Sequence, residues 1–226
     1  MVASSPSDGH VIDGMDDKPA HAAFMSALTT EHVVLQTAAS ATVADAAARS
    51  SLYVFSLSSS LVAVGFASRS REVFVPFIAI VLPAIFVLGV FTVMRLVDTA
   101  LENMHCMVGI ARIRGYYRTL SPEAATYFAA RHGRWPEGQS DPALRLGPLM
   151  AFLSTSASMI AFINSAVAGV GVALLAGERL GPDRTVLAMS LGAALAGALT
   201  AAFVAYERWR FRIFDRVTPS EPEVRK

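Results

Sequence analysis

The sequence predicts an all-α integral membrane protein with four transmembrane helices, arranged as two antiparallel hairpins, and a cytoplasmic helical extension of the second span. Three observations carry that expectation. Of 226 residues, 54% are hydrophobic and only 16% charged, whereas a soluble domain usually carries about a quarter charged residues. The apolar residues gather into four long runs rather than into an amphipathic pattern. Basic residues are sparse in two of the connections between runs and dense elsewhere. The net charge of +1 and the single cysteine, Cys106, argue against a globally basic nucleic-acid binder and a disulfide scaffold.

The polar first thirty residues, with Asp8, Asp13, Asp16 and Asp17, lack the apolar core of a cleaved leader. A disordered polar tail is expected over residues 1–27, followed by a membrane domain over 28–217 and a C-terminal tail over 218–226. The first span is expected at about 51–67, with the alanine-rich stretch Thr37 to Ala48 able to continue its helix. The second is expected at about 73–97, carrying Pro76 and Pro83. The third covers about 148–177 and the fourth about 185–206. A hydrocarbon layer about 30 Å thick needs roughly 20 helical residues. Lipid also demands that every backbone group be bonded internally, which favours helices over short alternating strands.

The second helix reads on past the apolar run. Val97, Leu101, Met104 and Val108 repeat at helical spacing through a cytoplasmic insert, 98–147. Ser121, Pro122 and Glu123 form the start signal of a further short helix. A loop is expected from Arg134 to Gly147, and after the fourth run Tyr206 to Val217 reads as an interfacial helix.

Orientation follows from the basic residues. Arg69, Arg71, Arg179 and Arg184 lie in the two tight connections, and the other fifteen of the 19 Lys and Arg residues lie elsewhere. The positive-inside rule then places both termini in the cytoplasm of a cell-membrane protein.

Helix packing is expected from small residues. Ala161, Ser165, Gly169 and Ala173 recur every fourth position in the third run, and Gly192 with Ala196 do so in the fourth, beside a second ladder containing Gly197. Small side chains allow the close backbone approach on which helix association in lipid depends. Asn164 is expected to make an interhelical hydrogen bond. Arg208, Arg212 and Arg216 share one helical face, and with Trp209 they are expected to anchor the chain to the bilayer surface.

Chemistry is concentrated in one cluster, Arg95, Asp98, Glu102 and His105. Ionisable groups at a membrane edge are costly unless paired or hydrated, which makes this a candidate polar network or ion path. Arg95 and His105 stand three residues from Asp98 and Glu102 respectively, and Asp45 with Arg49 could cross-pair from the helix before the first span. Glu102 and His105 form a single E-x-x-H step, but no second step exists to complete a helical di-metal site. No catalytic residue, metal site or cofactor is expected.

The function these features favour is a non-enzymatic multi-pass protein. It would act in the lipid bilayer as a homo-oligomer or with a membrane-protein partner, and without nucleic acid. The alternatives are an oligomeric ion or proton channel using Asp98 and Glu102, and a membrane enzyme acting on lipid through Glu102 and His105.

Overall fold

The structure is a computed structural model and describes residues 17–128 and 155–217. Every regular element among them is helical. Helix α1 spans Asp17–Ala67 and α2 spans Arg71–Thr119. The short α3 spans Pro122–Tyr127, α4 spans Ser156–Leu180, and α5 spans Thr185–Val217 after a 3-10 turn at Pro182–Arg184. Four of these, α1, α2, α4 and α5, are long and apolar enough to cross a membrane.

Several boundaries differ from the expected ones. Helix α1 begins at Asp17 rather than after residue 27, because the segment 17–27 is rich in helix-forming residues and its face packs on α2 through Phe24 and Tyr116 (ring centroids 5.5 Å apart). With 51 residues, α1 is about 75 Å long. Helix α4 is described from Ser156, and residues 148–154 of the expected third span lie outside the described residues. Its N-cap Thr155 accepts a hydrogen bond from the Ser158 amide at 3.2 Å, which ends the extended backbone there. The fourth span and the expected interfacial helix are one continuous α5. Residues 1–16, the stretch 129–154 with its expected loop, and the tail 218–226 lie outside the described residues.

Other local expectations are met. Helix α2 is unbroken from Arg71 to Thr119 and contains both Pro76 and Pro83. Ser121 caps α3, accepting from the Ala124 amide at 3.1 Å with Glu123 in the first turn.

Helices α1 and α2 pack along one another after the turn at Ser68–Ser70, and α4 and α5 do the same. Helix α4 also packs against α2, which joins the two pairs. Helix α2 also touches α5, and α1 touches α4. Among the described residues α1 and α5 do not pack on each other, which leaves a cleft between them. The core lies where α1, α2 and α4 meet and includes Tyr53, Val93, Val97, Ile160 and Ala161. The outside is oily. Phe55 is 72% exposed, Ile80 71% and Val186 80%. Such surfaces are excluded from water and suit lipid.

The α4–α5 crossing is set by glycine. A Cβ on Gly169 would lie 2.5 Å from the Gly192 carbonyl oxygen and 2.8 Å from the Ala196 Cβ, and one on Gly192 would lie 2.9 Å from the Ala173 Cβ. Gly169, Ala173, Gly192 and Ala196 therefore do meet. Gly197 does not join them, since a Cβ there would have nothing within 4 Å. At the opposite end of α4, Arg71 of α2 pairs with Glu178 at 2.5 Å.

Candidate functional site

Three polar features lie among the helices. The first is a knot in the middle of the apolar zone. The Tyr53 hydroxyl on α1, fully buried, donates to Asn164 Oδ1 on α4 at 3.1 Å, and Asn164 Nδ2 donates to the Phe86 carbonyl on α2 at 3.1 Å. Gly89 makes this reachable. It sits one turn beyond Phe86, and a Cβ there would lie 2.1 Å from Asn164 Oδ1. The interhelical role expected of Asn164 is thus realised, while Ser165 turns to its own helix and donates to the Ala161 carbonyl at 2.8 Å.

The second feature is the charged cluster. Arg95 bridges two helices, with Nη1 donating to Glu102 Oε1 at 3.2 Å and Nε 3.5 Å from Asp45 Oδ2 on α1. Asp45 in turn accepts from Arg49 Nε at 3.0 Å. Asp98 pairs with Arg210 of α5. His105 bonds the Leu101 carbonyl at 2.9 Å and sits edge-on to Phe214, with ring centroids 4.6 Å apart. Arg95 with Asp45 ties α2 to α1, and Asp98 with Arg210 ties α2 to α5; Arg95, Asp98, Glu102, His105 and Arg210 line a cavity of about 360 Å³ between α2 and α5. The Arg49 hydrogen bond holds the Asp45 carboxyl below its ordinary value; Asp45 precedes the apolar run 51–67.

These partners are not the ones nearest in sequence. Arg95 takes Glu102 rather than Asp98 because seven residues bring a 3.6-residue helix back to within about 20° of the same face. Asp98, three residues from Arg95, is turned aside toward α5. His105 likewise leaves Glu102 for the backbone and Phe214. Of the arginine stripe on α5, Arg208, Arg212 and Arg216 are exposed, and Trp209 is 58% exposed. The interhelical bond is made by Arg210, which the stripe had passed over.

The third feature was missed altogether by the sequence reading. Glu207 on α5 is 1% exposed. Its Oε2 accepts from Ser158 Oγ at 2.9 Å, and Ser158 Oγ accepts from Thr155 Oγ1 at 3.0 Å. The acid therefore sits at the start of α4, where backbone N–H groups point outward and favour negative charge by up to about 2 kcal/mol in partly buried settings. Removing a carboxylate from water costs several kcal/mol, so the helix terminus and one hydroxyl offset only part of it. Among the described residues no Lys, Arg or His pairs with Glu207. It lines a cavity of about 320 Å³ in the cleft between α1 and α5. The only clue in the sequence was an acid directly after a long apolar run, and the neighbouring arginines gave it the look of a solvated tail charge.

Among the described residues, no three His, Cys, Asp or Glu side chains converge as metal ligands, and Glu102 and His105 do not bond one another. Comparison of the chain with protein-family models, with curated proteins and with solved structures gives no match.

Proposed function

We propose that the chain is a non-enzymatic four-span protein of the cell membrane, built of two antiparallel hairpins with both termini cytoplasmic, that acts by associating with itself or with another membrane protein. One observation carries this reading. Helix α5 bears two small-residue faces, and among the described residues only one is occupied. Gly192 and Ala196 are spent against α4, while Ala193, Gly197, Ala201 and Ala205 are all exposed. In lipid, where apolar side chains gain nothing by leaving their surroundings, a smooth face of this kind is what lets a second helix approach.

The charged cluster supports a structural rather than a conducting role, since each of its carboxylates has an arginine partner. The two tight connections hold only four of the 19 basic residues, which supports the orientation.

The test is the mass of the purified protein in mild detergent by light scattering, together with crosslinking in native membranes. The wild type is expected above its 24.0 kDa monomer mass or crosslinked to a partner. Gly197→Leu, at a position with open space around it, is expected to abolish the association without lowering thermal stability. A monodisperse monomer that crosslinks to nothing ends the proposal.

A further inference from the structure

We propose that the cleft between α1 and α5 binds an amphiphile with an ammonium head group, the Glu207 carboxylate taking the cation and the apolar walls taking the chain. The cavity of about 320 Å³ has room for a head group and the first methylenes of a tail. Its walls come from Val43, Ala46, Leu96, Val97 and Ala100, with Phe211 beside the acid. A carboxylate next to an aromatic face is a common receptor for ammonium ions, through charge and cation–π attraction together.

The charge count selects the cation. Glu207 is almost wholly enclosed and receives one hydroxyl hydrogen bond, and among the described residues no basic side chain lines the cavity. An anionic head would be repelled by the carboxylate, and a neutral one would gain no charge attraction from it. An ammonium ion completes the ion pair that the fold has left half-built. Access is sideways, because α1 and α5 both line the cavity yet do not pack on each other. Thr42, Thr99 and Asn103 give the cleft a polar edge, with Thr42 Oγ1 donating to Asn103 Oδ1 at 3.3 Å. The geometry fits both a free long-chain amine and the head group of an aminophospholipid. The site is separate from the outer face of α5 and does not depend on self-association.

The test uses the full-length protein in dodecyl maltoside, titrated calorimetrically with dodecylammonium, dodecanol and dodecyl sulfate. Dodecylammonium is expected to bind at one saturable site at least tenfold more tightly than dodecanol, and the sulfate is expected not to compete. Glu207→Gln is expected to lose at least tenfold in amine affinity with dodecanol unchanged. Equal affinity for amine and alcohol, or an unaltered affinity in Glu207→Gln, overturns the proposal. Should Glu207→Gln fail to fold, Ala100→Leu decides the matter, because it keeps the acid and narrows the cleft. Loss of amine binding then supports the site, and full retention overturns it. Displacement of the amine in phosphatidylethanolamine nanodiscs, but not in phosphatidylcholine ones, identifies the natural ligand as lipid. Equal retention in both identifies it as a free amine.

Discussion

Gly169 and Gly192 face one another so closely that a Cβ built on Gly192 would lie 2.3 Å from the Gly169 carbonyl oxygen. The obstacle is backbone on both sides, so it cannot swing away as a side chain would. Gly192→Ala is expected to destabilise the protein by about 1–3 kcal/mol, the usual cost of overpacking a tight contact. Gly197→Ala, which meets open space, should stay within about 0.5 kcal/mol of wild type. Unfolding in mixed micelles by a denaturing detergent measures both.

The Tyr53–Asn164–Phe86 knot should show modest energies despite its burial. Tyr53→Phe removes one hydrogen bond between helices and is expected to cost about 0.6 kcal/mol, with about 1.7 kcal/mol as the upper end known for such bonds in membranes. Gly89→Ala drives a methyl group into the Asn164 amide and should cost more than Tyr53→Phe. A double-mutant cycle between Tyr53→Phe and Asn164→Leu reads the coupling directly, and a coupling of zero would show that the hydroxyl and the amide do not interact.

The Asp98–Arg210 pair joins α2 to α5 at a partly exposed position, with side chains 42% and 34% exposed. Its coupling energy, measured by a cycle of Asp98→Asn and Arg210→Gln, is expected below about 1 kcal/mol and should shrink as salt is raised. In liposomes, ion flux is expected to be the same for wild type and for the Asp98→Asn, Glu102→Gln variant. A conductance that falls in the variant would instead support the ion-path reading.

Acid should weaken the charged cluster through Asp45. Its folded-state pKa lies below the ordinary value because Arg49 bonds the ionised form. A lowered carboxyl pKa adds stability that is complete above the unfolded pKa, near 4, and is lost as pH falls through the folded value. The melting temperatures of wild type and Asp45→Asn should differ slightly at pH 7 and converge below about pH 4. A gap that persists unchanged into acid contradicts the Asp45–Arg49 bond.

What could be read from the sequence was whatever depends on short range or on simple periodicity. The Ser121 cap, the four apolar runs and the spacing of Gly169 with Ala173 are of that kind; of Asp45 and Arg49, expected to cross-pair with α2, Asp45 does so through Arg95 while Arg49 bonds Asp45 within α1. The misses have a common cause. Arg210 and Glu207 take their roles from elements distant in the chain, Asp98 in one case and the start of α4 in the other. Local pattern showed only two charges among several. Helix α1 was cut short in the reading because polar residues near Asp17 resemble a tail, whereas the adjacent face of α2 gives that segment something to pack on.

The unbroken length of α1 and α2 has a mechanical consequence. A paired rod of about 75 Å is longer than a hydrocarbon slab of about 30 Å is thick, so in a bilayer more than half of it would lie outside the slab. Thinning or thickening of the slab that leans the pair by about 10° sweeps the far end, where Phe24 meets Tyr116, through several ångströms. Such a shaft would turn small changes of tilt into larger displacements at its far end.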